Sequence, residues 1–371
     1  MTIFDLTVPA QSPSILQVVW LILVAVLWIG FFVLEGFDFG VSMLVPFLGG
    51  KNDQTRRVVL NTIGPHWDGN EVWLLTAGGA TFAAFSGWYA TLFSGLYLPL
   101  FLVLVGLILR GVAMEYRSKR DSITWRYTWD WLNAIGAFLP ALVFGVGFAN
   151  FLKGLPVNSE ATNTFGENIP LYSGTFWGLF MPFCLIGGLL FVTLFLTHGA
   201  HFVSLKTKDE VHKRASSFAV ILGIAAIVLL AVFVVWGNIA YSLPGQLPLL
   251  RIVAWVVGVL AIVALGFGWF MNFKGRDGLA FIGSGLSIVL LMVMFFSHFY
   301  PGLGFNNAVN KGPVSLDITT AASSPLTLKL MTIFAAIMVP IVLAYVIWSY
   351  WVFKRRLNVT SIPALKVTTA A

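Results

Sequence analysis

Gly64-Pro65-His66-Trp67-Asp68-Gly69-Asn70-Glu71-Val72-Trp73-Leu74-Leu75-Thr76-Ala77-Gly78-Gly79-Ala80-Thr81-Phe82-Ala83-Ala84-Phe85 decides the reading of this chain. It is an apolar helical stretch that opens on one histidine and two acids. A carboxylate inside a bilayer costs about 2.5 kcal/mol or more. Asp68 and Glu71 stand three residues apart, so they share a helix face. Paired acids on a membrane helix point to proton or ion handling. The competing reading is a wet helix end with no role.

The rest of the chain repeats the apolar theme. Of 371 residues, 58% are hydrophobic and only 10% are charged. A soluble domain carries about 25% charged residues. The apolar runs last roughly 20 residues, the length that crosses a hydrocarbon core. Nine spans are expected, at about 15–48, 58–85, 89–113, 130–152, 173–203, 216–238, 249–271, 278–298 and 328–353. The fold class is therefore an all-α polytopic membrane protein, one integral membrane domain over 1–371. It divides into a first four-helix bundle (15–152), a second (173–298) and a ninth, peripheral helix (328–353).

Seventeen of the 22 Lys and Arg residues fall in the connections after spans one, three, five and seven and in the C-terminal tail. Among them are Lys51, Arg117, Lys206, Lys274 and Lys366. Lys153, Arg251, Lys311 and Lys329 lie on the other side, and Arg110 lies within a span. This bias places the C-terminus in the cytoplasm and the N-terminus outside. It also accounts for the net charge of +7 without any nucleic-acid partner. The first residues lack a basic segment and a cleavage site, so no removed signal peptide is expected.

Span one ends in Glu35-Gly36-Phe37-Asp38-Phe39 and span five in His198-Gly199-Ala200-His201-Phe202. The shared Gly and Phe suggest a parallel repeat of four spans. Chance in a Gly- and Phe-rich chain explains the match equally well. Counting at 1.5 Å per residue from the basic loops puts Glu35, Asp38, Asp68, Glu71 and Arg110 in the inner half of the first bundle. A buried Arg among acids is the expected pairing of intramembrane charge. It reads either as a proton path from the cytoplasm or as a static ion-pair knot that fixes helix register. Glu115 and Asp130, nearer the surface, are expected to cap or solvate helix ends.

Five histidines offer few opposed pairs for a haem. His198 and His201 share one helix, His66 opens another, His298 lies near the outer end of span eight, and His212 reads as a solvated loop residue. The single Cys184 leaves no intramolecular disulfide and no cysteine-based metal or iron–sulfur site. No catalytic residue and no metal ligand is assigned to this chain.

Gly36-Phe37-Asp38-Phe39-Gly40-Val41, the Gly64–Leu74 motif, Ala77–Phe85, Tyr116-Arg117-Ser118-Lys119 and Trp129-Asp130-Trp131 occur in this order. Together they closely resemble subunit II of the cytochrome bd quinol oxidases. The resemblance implies a bacterial inner-membrane subunit paired with a haem-bearing subunit I, with small accessory subunits as further partners. Subunit I holds the b- and d-type haems and oxidises the quinol, and oxygen is reduced to water. Subunit II carries no haem ligands, and in some members it holds a structural quinone. The isolated chain is then not catalytic. The family's proton path maps onto Trp67, Asp68, Asp38 and Arg110; Glu35 and Glu71 join it from the depth argument. A proton-coupled secondary transporter is the alternative. It would show Gly- or Pro-broken helices at matched positions in both halves, and no convincing matched pair is present.

Overall fold

The computed structural model describes residues 12–50, 52–158, 170–241, 247–306 and 316–362. Lys51, Lys311 and Lys366 lie outside them. The helices are α1 (Ile15–Gly49), α2 (Asp53–Ile63), α3 (Trp67–Ala84), α4 (Ser86–Gly95), α5 (Tyr97–Tyr116) and α6 (Ile123–Lys153). They continue as α7 (Pro182–Lys206), α8 (Asp209–Ala240), α9 (Pro248–Phe273), α10 (Asp277–Phe299) and α11 (Pro325–Val352). Eight of these, α1 and α5 to α11, are long and apolar enough to cross a membrane.

Helix starts follow the local sequence. Ser14 and Gln17 form a capping box on α1. Asn52 caps α2, Ser122 caps α6 and Ser324 caps α11.

Three expected spans need correction. The stretch 58–85 is not one helix: α2 ends at Ile63 and α3 starts at Trp67. Pro65 has no amide hydrogen to continue the ladder, and it follows a flexible Gly64. Pro46, Pro140 and Pro340 are tolerated inside α1, α6 and α11, so the Gly-Pro pair makes the break. The stretch 89–113 is split at Leu96, and the crossing helix is α5 alone. The fifth expected span starts at Pro182 rather than 173. Residues upstream of it form a short strand and a 3-10 turn.

Helices α7 to α10 pack each on the next, and α10 returns to α7. Helix α1 packs on α3, α6 and α7, and α5 packs on α6. The two halves meet where α1 crosses α7. A Cβ on Gly40 would run into the backbone carbonyl of Phe195, and one on Gly199 would sit 2.5 Å from the amide nitrogen of Val41. Glycine at both positions is what lets the backbones touch. An aromatic core around Phe31, Phe32, Phe144, Phe148 and Phe191 fills the space on the N-terminal side of this crossing along α1.

The loops sort into two ends. At one end the chain segment after α11 pairs with the start of α8, through Lys208 and Leu357, and Gln54 donates to the carbonyls of Val359 and Ile362. Arg356 reaches Asp277 at 2.8 Å there. At the other end β1 (Leu155–Asn158), β2 (Leu171–Tyr172) and β3 (Phe305–Asn306) form a small sheet in the order β2-β1-β3. There too, Ser323 donates to the carbonyls of Ala83 and Ala84, satisfying the end of α3. Helix α11 is peripheral in the described chain: its apolar centre is unburied by other helices. Trp20 holds its start, donating to the Leu328 carbonyl at 3.1 Å.

Candidate functional site

Glu35 and Asp38 sit one turn apart on α1 and project from the same face. Both are fully buried, and so is Arg110 of α5. The Arg110 guanidinium donates to Glu35 and lies 3.7 Å from Glu71 of α3. Its flat faces meet two rings, Phe39 at 5.1 Å and Trp67 at 5.7 Å. Arginine supports such stacking because its charge is delocalised and weakly hydrated. Asp38 accepts from the amide of Asn70 at 2.6 Å, and the Tyr350 hydroxyl donates to the Asn70 oxygen at 3.0 Å. Four helices, α1, α3, α5 and α11, therefore meet at one polar cluster.

The cluster holds three carboxylates and one guanidinium. Charges removed from water need partners. Several atoms here have no hydrogen-bond partner among the described residues: Glu35 Oε2, Asp38 Oδ1, Arg110 Nε and Arg110 Nη2.

The expected convergence of five charged residues is met by four. Asp68 is exposed and stands apart. Asn70 faces α1 to reach Asp38. Asp68 lies two residues earlier, about 200° around the helix, and so points outward. It borders an apolar groove of about 990 Å³ between α3 and α5. Trp28, Phe148 and Phe299 wall this groove, and Glu71 opens onto it. Gly78 and Gly79 also border it, and a Cβ on either would meet nothing within 4 Å.

A second polar network was not legible as such. Asp130 is fully buried rather than solvated at a helix end. Arg117 grips it with two bonds, at 2.5 and 3.1 Å, and Arg56 lies 2.8 Å away. Arg117 and Arg126 also hold Asp53, at 2.7 and 3.0 Å. Burial alone pushes the Asp53 carboxyl up, but the two guanidinium groups outweigh it and hold it below the usual carboxylate range. This network ties α2 to α6 at the basic end. Its signal in the sequence was the arginine excess flanking Trp129-Asp130-Trp131.

The histidines engage the protein itself. His198 and His201 share the hydroxyl of Ser284, at 2.7 and 3.1 Å, and the other nitrogen of His198 donates to the Val33 carbonyl. His66 stacks on Tyr350 with centroids 4.2 Å apart. His298 meets Asn238 at 3.0 Å. His212 contacts the Ser204 carbonyl at 3.0 Å and so is anchored rather than freely solvated. Among the described residues no three His, Cys, Asp or Glu side chains converge as a metal cage.

The fold and the cluster define a multi-pass helical membrane protein built around intramembrane ion pairs. Comparison with known proteins narrows this. Residues 16–353 match the family described as cytochrome bd terminal oxidase subunit II, and the chain belongs to that family. It is 40% identical over 365 residues to a probable cytochrome oxidase subunit 2 of Haemophilus influenzae, covering 90% of this chain and 93% of that one. It is 38% identical over 371 residues to the cytochrome bd-I ubiquinol oxidase subunit 2 of Escherichia coli K12, covering 91% and 94%. The fold matches a chain in the structure of bd oxidase from Geobacillus thermodenitrificans, with a TM-score of 0.71 at 16% identity over 91% of this chain and 99% of that chain.

Proposed function

We propose that this chain is the non-haem subunit II of a quinol:oxygen oxidoreductase, a heterodimer with a haem-bearing subunit I in the bacterial cytoplasmic membrane. The haems supply the redox chemistry from the partner. This chain supplies a docking surface and a polar route that feeds protons toward oxygen reduction. One observation carries the reading: three carboxylates, Glu35, Asp38 and Glu71, surround the fully buried Arg110. A knot built only to fix register needs one acid per base. Two acids in excess give the cluster groups that can take up and release a proton.

Asp68 stands at the outer side of α3, beside the groove, and would serve where this chain meets its partner. Trp67 covers Arg110 and shields the pair from lipid. The groove between α3 and α5 has room for the tail of a structural quinone. The topology that goes with this reading is nine spans, the second over 58–85, in two bundles (15–152 and 173–298) plus a ninth helix (328–353). The N-terminus is outside and the basic end is cytoplasmic.

The test is Asp38→Asn and Asp68→Asn, each in the assembled complex with full haem content. The expected result is a loss of quinol oxidase turnover with unchanged haem spectra. Turnover equal to the parent in both variants refutes the proton role and leaves a structural one. A reporter fused after Lys366 is expected to be active only in the cytoplasm. Membership in the cytochrome bd subunit II family does not favour the transporter alternative.

A further inference from the structure

Two polar networks sit at different depths of the first half of the chain, and two buried polar side chains, Asn133 and Ser42, lie at levels between them. Asn133 lies on α6, one turn outward of Asp130. It is 2% exposed, and neither end of its side-chain amide bonds another group among the described residues. Ser42 lies on α1, one turn inward of Asp38 and on the same face. It is fully buried, and its hydroxyl also lacks a partner among the described residues. An unpartnered amide or hydroxyl in a dry core costs about 1–3 kcal/mol. Two such groups in line between charged clusters are the arrangement that internal water satisfies.

The helix registers place these groups in order. Helices α5 and α6 run antiparallel. Arg117 pairs with Asp130, and the backbone of Arg110 lies against Gly136. Asn133 thus falls midway between the two networks, about 4–5 Å from either level along the axis. Helices α1 and α6 also run antiparallel. Their register is set by the ring contacts Phe47–Trp131 at 5.5 Å and Phe31–Phe144 at 5.4 Å. That register puts Ser42 level with the turn between Asn133 and Ala137. Beyond Ser42 come Asp38 Oδ1, Glu35 Oε2 and the free nitrogens of Arg110.

We propose that a hydrated seam between α1, α5 and α6, held by Asn133 and Ser42, joins the Asp53–Arg56–Arg117–Asp130 network at the basic end to the Glu35–Asp38–Arg110 cluster. This deepens the proton-path reading and rests on it. Water molecules in the seam accept a proton on one side and release one on the other, so no electrons move and no bond to carbon changes. Asn133 and Ser42 are positioning residues: they hold the water and do not themselves carry charge.

The experiment uses the assembled oxidase with its haems. Asn133→Leu keeps the branched shape and removes the amide, Asn133→Ser keeps a polar anchor, and Ser42→Ala removes one hydroxyl with little steric change. Asp38→Asn is measured in parallel. Turnover at saturating quinol is expected to fall about tenfold or more in Asn133→Leu, with KM for quinol unchanged. Asn133→Ser is expected to retain most of it. Proton uptake in a single turnover, followed with a pH dye on the basic side, should slow in step. A map of the parent complex that resolves ordered water should show it between Asn133 and Ser42, and that readout stands if a variant fails to assemble. If Asp38→Asn impairs turnover while Asn133→Leu and Ser42→Ala leave it at the parental level, the seam is wrong and the proton-path reading survives. If all three match the parent and Asp68→Asn does too, both fall. A dry, closed contact between Asn133 and Ser42 in the map also overturns the seam.

Discussion

Asp130→Asn is the most informative structural perturbation. The carboxylate is fully buried and faces two guanidinium groups, taking two bonds from Arg117 and a close contact from Arg56. Asparagine keeps the shape, so no cavity forms, but Arg56 and Arg117 lose the charge that compensates them. Removing one partner of a buried ion pair costs about 3–5 kcal/mol. Asparagine still offers one acceptor oxygen, which places the expectation at the lower end, about 3 kcal/mol. At about 1.36 kcal/mol per tenfold, local opening at the basic end becomes roughly a hundredfold easier. Hydrogen exchange with mass spectrometry on the solubilised protein reads this directly. Protection of amides in 53–57 and 126–134 is expected to fall about a hundredfold, while that of 146–152 stays as in the parent. Asp121→Asn is the control. Asp121 also pairs with an arginine, Arg126, but is 68% exposed. Exposed pairs contribute about 0–1 kcal/mol. If Asp130→Asn exchanges no faster than Asp121→Asn, the buried network is not a structural tie and the reasoning fails.

Three further outcomes follow from the same geometry. The Asp53 carboxyl is held below its usual range in the folded chain. Its contribution is therefore complete above the unfolded value, about pH 4, and is lost as pH falls through the lower folded one. Protection of 53–57 should stay flat from pH 7 to about 4 and drop below that; a drop beginning near pH 6 contradicts the assignment. Gly40→Val drives a side chain into the backbone carbonyl of Phe195, and neither backbone can give way. A cost of about 3 kcal/mol or more is expected, seen as loss of membrane-assembled protein on an immunoblot, whereas Gly78→Ala accumulates normally. Tyr350→Phe removes the bond to Asn70 and leaves a buried oxygen unpaired. About 1 kcal/mol is expected, read as a fall of about 2–4 °C in the midpoint of thermal inactivation.

Composition and run length were enough to establish a polytopic helical membrane protein, because a bilayer leaves the backbone few ways to satisfy its hydrogen bonds. The placement of arginines sorted the loops into two ends. The order of short motifs from Gly36 to Trp131 identified the family. Glu35, Asp38, Glu71 and Arg110 were legible as a cluster because charge in an apolar span must find opposite charge. Other features depended on how helices turn about their axes, which spacing along one chain does not encode. Asn70 rather than Asp68 faces Asp38, because helix α3 docks on α1 with one face and can present only one of the two. Asp130 looked like a helix-end residue by distance from the loop, yet α2 folds over it and brings Arg56, so burial was decided by a neighbour far from it in sequence. Asn133 and Ser42 carry no charge and no motif. Their meaning appears only when α1, α5 and α6 pack and leave two polar groups, between two charged networks, without partners among the described residues.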